Sequence, residues 1–277
     1  MFQPAIKWSG SKRSQANEII KYFPKEIDIY YEPFCGGASV LRALVESDIK
    51  VNTYVCSDIN EDLINLWNEI KLNPIGISEV YKMRWHELND KDDNKERKKR
   101  YFEYVRELYN KEHNPYDFFF IMKTTTNGMP RYNRNGEFNN SFHVTRNGMM
   151  PEKVESILLE WSKILIDNDV KFFHSDYKNV CPAKDDFMYL DPPYAATKGM
   201  YYGGFDNREL FDWLSKQVCK WVMSYDGISG TENNTFEVPN DLYDEHIYIR
   251  SGNSSFKRVI GKSNDSIVYE SLYIKNK

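Results

Sequence analysis

The chain has 277 residues, of which 41% are hydrophobic and 15% aromatic, and its net charge is -4. This length suits one large α/β domain, or such a domain with an inserted lobe. The apolar content excludes disorder throughout the chain. Apolar runs such as residues 118–122 are too short to cross a bilayer, and no secretory signal is visible, so we expect a cytoplasmic protein.

The elements predicted for the first quarter of the chain alternate between helix and strand. In order they are a helix over residues 15–23, a strand over 27–31, a glycine turn at Gly36 and Gly37, a helix over 38–46, a strand over 51–56 and a helix over 61–71. Such alternation predicts a parallel sheet covered by helices.

The middle of the chain has a different pattern. Residues 78–111 are strongly charged with apolar residues at helical spacing, which predicts a helical lobe. The run 95–100 could contact DNA, but such runs are more often solvated helix faces. Residues 127–148 are rich in Asn, Gly and Arg, and a loop of this length is usually functional or disordered. Acidic side chains are scarce there, so a local positive surface is expected despite the net charge.

Alternation returns in the last part of the chain. We predict a helix over 152–166, strands over 170–174 and 187–190, a helix over 208–218, a strand over 221–224, and a closing antiparallel pair over 246–250 and 266–274. The fold class expected is therefore a Rossmann-like α/β sheet, mixed but mostly parallel, with helices on both faces.

The cysteines argue against a metal centre. Cys35, Cys56, Cys181 and Cys219 are widely spread without a Cys-x-x-Cys pair, so neither a zinc site nor a disulfide framework is expected. We interpret them as ordinary buried thiols. A zinc base deaminase is excluded because its His-x-Glu and Cys-x-x-Cys ligands are missing.

Two features point to a nucleoside ligand. Gly36 and Gly37 follow a strand and let the backbone approach a ligand, although the G-x-G-x-x-G spacing of a dinucleotide site is missing. Asp58 follows the next strand, where a carboxylate could accept hydrogen bonds from a ribose. Asp58 could instead simply cap the following helix.

The strongest signal is Asp191-Pro192-Pro193-Tyr194 at the end of an apolar strand. The two prolines remove two N–H donors, which makes a stiff turn rich in carbonyl acceptors. An exocyclic amine on an aromatic ring is a poor nucleophile, because its lone pair is delocalised. Hydrogen bonds from its N–H groups to the Asp191 carboxylate and the Pro192 carbonyl would favour the reactive form. Tyr194 would stack on a flipped base.

These residues resemble the Dam-type, alpha-class DNA adenine-N6 methyltransferases. The segments that carry the likeness, in the family's order, are residues 7–12 (KWSGSK), 32–37 (EPFCGG), 127–133 (NGMPRYN) with 136–139 (GEFN), and 191–194 (DPPY). The resemblance spans most of the chain. It implies direct transfer of a methyl group from S-adenosyl-L-methionine to N6 of an adenine flipped out of double-stranded DNA.

The resemblance also implies site residues. The residues that would bind the cofactor are Trp8, Lys12, Phe34, Gly36, Gly37, Asp58, Asp176, Tyr177 and Asp191; Asp191 would also serve the target base, together with Pro192 and Tyr194. The residues that would face DNA are Lys7, Asn127, Met129, Arg131, Asn139 and Arg146. Arg131 is the candidate for reading a guanine edge, and Arg146 for binding phosphate.

The implied organisation is a catalytic domain of residues 1–60 and 151–277 with a target-recognition lobe of residues 61–150 inserted. We expect a monomer or weak dimer, from a bacterium or phage, with any cognate restriction endonuclease acting separately. Residues 224–227 and 251–262 match the family loosely, so the target-base pocket and the recognised site are left open.

Other functions remain to be distinguished. An N4-cytosine or RNA-directed methyltransferase could use the same acceptor loop, and an idle DNA-binding module could keep the fold. The motif order favours adenine in DNA. Cytosine C5 methylation is disfavoured, because it needs a cysteine nucleophile and none lies near the acceptor loop in sequence.

Overall fold

The structure is a computed structural model that describes residues 2–89, 93–126, 130–143, 147–193, 205–229, 232–235, 237–253 and 267–276. The chain divides into two compact units. The first unit comprises Met1–Ser11 and Asp58–His174, and the second comprises Lys12–Ser57 and Ser175–Lys277. No helix in the described part of the chain is long and apolar enough to span a membrane.

The elements follow the predicted alternation closely. In chain order they are α1 (Ala16–Ile19), β1 (Glu26–Glu32), α2 (Ser39–Val45), β2 (Lys50–Asp58), α3 (Glu61–Leu72), α4 (Pro74–Asn89), α5 (Lys95–Glu112), α6 (Pro115–Thr124), α7 (Pro151–Asp167), β3 (Lys171–His174), β4 (Phe187–Leu190), α8 (Asn207–Leu214), β5 (Lys220–Ser229), β6 (Glu232–Asn233), β7 (Glu245–Asn253) and β8 (Ile267–Lys275). The predicted first helix is shorter than expected, because its second half is a 3-10 turn over Ile20–Tyr22.

The second unit contains a mixed sheet in the order β2-β1-β4-β5-β8-β7, with β6 paired to β5. Strand β1 runs parallel to β2 and β4, β4 runs parallel to β5, and β8 is antiparallel to β5 and β7. All four residues of β4 are buried, as expected for a central parallel strand. The Rossmann-like α/β prediction and the closing antiparallel pair are confirmed. Because β1 and β4 are parallel, the turns that follow them lie at the same edge of the sheet.

The first unit is mainly helical around an aromatic core. Trp67 of α3 packs 5.1 Å from Trp161 of α7 and stacks on Phe172 of β3 at 5.4 Å, as measured between ring centroids. Tyr81 of α4 packs 5.6 Å from Phe119 of α6. Helix α7 therefore belongs to this unit. The predicted recognition lobe ended before it, at residue 150, and that functional division remains a prediction.

The charged run at the start of α5 is not one solvated face. Arg97 donates from Nη1 to the Glu87 carbonyl at 2.9 Å and from Nη2 to the Leu88 carbonyl at 2.8 Å. Lys98 is buried and donates to Asp93 at 2.8 Å. Lys99 and Arg100 are exposed. Arg97 thus joins α5 to the end of α4, and Lys98 binds the segment that precedes α5.

The cysteine interpretation needs one correction. All four thiols are free, and three are buried, but Cys181 is exposed. Cys181 lies in an irregular stretch between the 3-10 turn at Tyr177–Asn179 and β4.

Candidate active site

The acceptor loop leaves the sheet at the end of β4. Leu190 is the last strand residue, and residues 191–193 form no helix or strand. Pro192 is buried, while Asp191 and Pro193 are partly exposed. Because neither proline has an N–H, the ladder between β4 and its neighbours ends here. Tyr194 lies outside the described residues.

A buried cation holds the Asp191 carboxylate. Lys12 Nζ lies 2.8 Å from Asp191 Oδ1 and 3.6 Å from Glu270 Oε2. The Lys12 side chain is 3% exposed, against 19% for Asp191 and 15% for Glu270. Ser251 Oγ donates to Glu270 Oε1 at 2.8 Å. We call Lys12, Asp191, Pro192 and Glu270 the acceptor corner: it presents one positive and two negative groups, largely shielded from water.

The glycine turn after β1 has the backbone that its sequence suggests. Gly36 has a φ of +44°, in the region that favours glycine, and Ala38 has a φ of +50° where α2 begins. The Cys35 N–H donates to the Ser57 carbonyl at the end of β2, at 3.0 Å. Main-chain contacts therefore hold the turn against the neighbouring strand.

Phe34 and Tyr177 come together, as their predicted common role requires. Their ring centroids lie 5.2 Å apart, and Phe205 lies 6.0 Å from both. Burial, followed by nearby carboxylates, raises the pKa of Tyr177 to about 12. The Asp176 carboxylate accepts the Lys178 N–H at 2.9 Å, so this residue also caps the turn that presents Tyr177.

In the first unit, Asp58 shapes a tight turn at the end of β2. Its Oδ1 accepts the Asn60 N–H at 3.0 Å, and Asn60 Oδ1 accepts the Leu63 N–H at 2.9 Å. Asn60, and not Asp58, is therefore the cap of α3, so the capping alternative for Asp58 is wrong. Ile59 between them is 60% exposed, and its carbonyl oxygen lies 3.1 Å from His174 Nε2. This turn presents a carboxylate beside an exposed apolar side chain.

The N-terminal segment of the same unit forms a turn at residues 8–11. The Trp8 carbonyl accepts the Ser11 N–H at 3.3 Å. Trp8 is partly buried, and Lys7 is exposed. A positive φ of 75° at Gly10 closes the turn.

Comparison with known proteins identifies the family. Residues 8–260 match the model of the D12 class N6 adenine-specific DNA methyltransferases. The chain belongs to this family. It is thus an adenine-specific DNA methyltransferase, and the Dam-type resemblance is confirmed.

Individual relatives agree with the family match. The chain is 32% identical to Type II methyltransferase M.MjaIII of Methanocaldococcus jannaschii, over 69% of each chain. It is 30% identical to a DNA adenine methylase of Haemophilus influenzae, over 79% of this chain and 76% of the relative. Against Type II methyltransferase M.FokI of Planomicrobium okeanokoites it is 25% identical over 95% of its length, but spans only 42% of that larger protein.

The methyltransferase contains a buried carboxyl group near the acceptor corner. Glu32, the last residue of β1, is 3% exposed and accepts the Tyr30 hydroxyl at 2.7 Å. Burial raises the pKa of Glu32 to about 8, and the charge of Asp191 contributes, while hydrogen bonds from Tyr30 and the Leu41 backbone act the other way. At neutral pH, Glu32 is therefore mostly protonated and adds little negative charge near Asp191.

The segment predicted to read DNA forms a small hairpin in the first unit, which we call the recognition hairpin (residues 131–139). Tyr132 and Phe138 form an antiparallel bridge, and the Asn139 N–H donates to the Arg131 carbonyl at 2.8 Å. Arg131, Arg134 and Asn139 are exposed. Asn127, Met129 and Arg146, also predicted to face DNA, lie outside the described residues.

Some residues around the acceptor corner of the methyltransferase were not predicted from the sequence. Glu270 lies on β8, 79 residues after Asp191. The alternating pattern of a strand does not indicate that this residue contacts Lys12. Gly227 allows the close approach of that strand, because a Cβ there would lie 2.2 Å from the Tyr269 carbonyl oxygen. Ser224 of β5 is buried and hydrogen-bonded to the Tyr189 hydroxyl at 2.8 Å.

Proposed function

We propose that this methyltransferase transfers the methyl group of S-adenosyl-L-methionine directly to N6 of an adenine flipped out of double-stranded DNA. The observation that carries the proposal is the Lys12–Asp191 ion pair at the donor-free turn after β4. It fixes a carboxylate beside two prolines, whose main chain has carbonyl acceptors but no N–H donors. A target that offers N–H groups suits this arrangement.

The chemistry of an aromatic amine explains why such a turn is needed. The N6 lone pair of adenine is conjugated with the ring, so the amine is a weak nucleophile. When its two hydrogens are held by the Asp191 carboxylate and the Pro192 carbonyl, the nitrogen is drawn toward the pyramidal form whose lone pair can attack a methyl carbon. The proton released afterwards can pass to water through Asp191. No covalent enzyme intermediate is needed.

Lys12 and Glu270 would keep this acceptor in place. A carboxylate can accept several hydrogen bonds, and the 2.8 Å contact from Lys12 restricts how Asp191 rotates. Glu270 in turn restrains the ammonium. Preorganised polar groups of this kind cost little reorganisation during reaction.

The residues present fit S-adenosyl-L-methionine by their chemistry. When bound, the cofactor supplies an electrophilic methyl group on a sulfonium. The partly exposed Asp58 carboxylate can accept hydrogen bonds from ribose hydroxyls, and the exposed Ile59 offers an apolar face for a purine. Phe34 and Tyr177 form an aromatic surface after β1, and the turn at Gly36 and Gly37 brings main chain near it. Trp8, Asp176 and Lys12 complete the proposed set.

Site-specific contact with DNA is assigned to exposed polar groups of the first unit. Arg131 and Asn139 would read base edges, and Lys7 would meet the backbone, since arginine and asparagine have the geometry for bidentate base contacts. Asn127, Met129 and Arg146 keep their predicted DNA-facing roles, and Tyr194 its predicted stacking role. We propose a monomer or weak dimer, with any cognate endonuclease a separate chain.

The experiment that tests this function is single-molecule sequencing of DNA from cells that express the chain. We expect N6-methyladenine at one short sequence, and none in cells that express the Asp191→Ala variant. Purified protein with duplex DNA and methyl-labelled S-adenosyl-L-methionine should reproduce the same site. Modification of cytosine, or modification that persists in the variant, would overturn the proposal.

A further inference from the structure

The recognition hairpin is anchored to the first unit by its own main chain. Asn110 of α5 donates from Nδ2 to the Phe138 carbonyl at 3.1 Å, and its Oδ1 accepts the Phe138 N–H at 2.8 Å. The Phe138 side chain is 1% exposed and packs edge-on against Tyr109 and Tyr132. One strand of the hairpin is therefore held by a bidentate amide and a buried ring.

The other strand is anchored through the Tyr132 hydroxyl, which is hydrogen-bonded to Asn60 and to Tyr109 of α5. The Tyr132 hydroxyl accepts a hydrogen bond from Asn60 Nδ2 at 3.2 Å. Burial raises the pKa of Tyr132, so this hydroxyl stays neutral. Tyr132 is adjacent to Arg131, whose exposed guanidinium is the candidate for reading a base. The position of Arg131 thus depends on what Tyr132 contacts.

Asn60 makes three kinds of contact at this junction, through its side-chain oxygen, its side-chain nitrogen and its backbone N–H. Its Oδ1 caps α3 through the Leu63 N–H, and its own N–H donates to Asp58 Oδ1. Asp58 is the carboxylate assigned above to the cofactor ribose. A continuous chain of hydrogen bonds therefore runs from Asp58 through Asn60 to Tyr132, all within one compact unit.

We propose that Tyr132 is a positioning residue through which cofactor binding and DNA recognition are coupled. This inference rests on the proposed function, since it assigns Asp58 to the cofactor and Arg131 to DNA. Ribose hydroxyls that donate to Asp58 restrict the Asp58–Asn60 turn, which aligns the Asn60 amide with the Tyr132 hydroxyl and holds Arg131 for base contact. The coupling is reciprocal by thermodynamic necessity, so DNA must tighten cofactor binding by the same factor.

The coupling can be measured with S-adenosylhomocysteine, which binds as the cofactor does but has no methyl group to transfer. Its dissociation constant is determined by calorimetry, without DNA and with a saturating duplex that contains the methylated site found by sequencing. The ratio of the two constants is the coupling factor. For the unaltered protein we expect about 5-fold or more, as allosteric couplings span about 5- to 150-fold.

Tyr132→Phe keeps the ring and removes the hydroxyl, so we expect its coupling factor to fall close to 1. Tyr116→Phe is the matched control. It removes a hydroxyl in the same unit that donates to Glu69 at 2.8 Å and accepts from Asn73 at 2.7 Å, away from the hairpin. This control should keep the factor of the unaltered protein. Thermal unfolding should show that both variants are folded.

Asn60→Ser tests the same link from the other side. Serine can still cap α3, but it is too short to replace the amide donor to Tyr132. We expect it to match Tyr132→Phe. Either variant retaining the full coupling factor would overturn the inference, and so would a factor of 1 in the unaltered protein that still methylates DNA. Failure of the unaltered protein to bind S-adenosylhomocysteine would instead overturn the proposed function itself.

Discussion

The acceptor corner and the recognition hairpin are held in place in opposite ways. In the acceptor corner, the side chains to which we assign the chemistry are largely buried and held by charge: Lys12 is 3% exposed and lies between two carboxylates. In the recognition hairpin the outward side chains are exposed, while other side chains, such as Asn110, hold its main chain.

The difference fits what we propose each region binds. A reacting amine needs acceptors with a fixed direction in surroundings of low dielectric constant, where a hydrogen bond is worth most. A DNA groove must be reached by long side chains that are solvated until they bind, so only the backbone beneath them can be fixed in advance. Single substitutions in the two regions test this contrast.

Asp191→Ala removes the central acceptor. We expect turnover to fall by at least about 100- to 1,000-fold, the cost of losing one preorganised transition-state hydrogen-bond partner, while cofactor binding is partly retained. Single-turnover rates and calorimetry check the two parts. Asp185→Ala, an exposed carboxylate just before β4, is the matched control and should react at the normal rate. Near-normal turnover of Asp191→Ala would refute the assignment.

Lys12→Met leaves the carboxylates of Asp191 and Glu270 without their shared cation. We expect a loss of about 3 kcal/mol in the free energy of unfolding, at the lower end for broken buried pairs because both acids retain some exposure. Lys21→Met breaks the exposed pair with Glu18 and should cost at most about 1 kcal/mol. Urea denaturation measures both. Unchanged stability with weakened cofactor binding would show that Lys12 mainly serves the cofactor.

Arg131→Ala should relax the preference at one base pair of the recognised site, at a cost of roughly 1 to 3 kcal/mol in discrimination. Binding to a panel of duplexes with single substitutions measures this cost. Arg134→Ala, the other exposed arginine of the hairpin, should weaken binding to all duplexes alike. A uniform loss with Arg131→Ala would instead mark Arg131 as a phosphate contact.

Glu32→Gln should change how stability depends on pH. The raised pKa means that, between its ordinary value of 4.5 and about 8, the folded protein holds a proton that the unfolded chain has lost. This group therefore lowers stability as pH rises through that window, by up to about 1.4 kcal/mol per pH unit, with no further change above pH 8. Glutamine cannot ionise, so the variant should lose this decline.

Urea unfolding of both proteins at pH 5, 6, 7 and 8 measures the difference. Glu26→Gln, an exposed glutamate on the same strand, controls for loss of a carboxylate on β1. Parallel stability curves for the unaltered protein and Glu32→Gln would contradict the buried, protonated state of Glu32.

Local patterns accounted for most elements of the fold. Three features could be predicted because a few neighbouring residues specify their conformation. They are the apolar run of β4, the paired prolines after it and the glycine turn after β1. Helix α6 was not assigned in advance, because its run of phenylalanines is equally compatible with a buried strand. The charged run of α5 was assigned to solvent, although Arg97 and Lys98 are used in packing.

By itself, the sequence determined most strands and helices in their chain order, the paired prolines after Asp191 and the family likeness, because these depend on neighbouring residues. Only the tertiary structure decided that Lys12 contacts both Asp191 and Glu270, and that Asn60 and Asn110 anchor the recognition hairpin. Those contacts join residues from 28 to 258 positions apart in a chain of 277, and the spacing of polar residues along a chain carries no information about which distant partners packing will bring within hydrogen-bond distance.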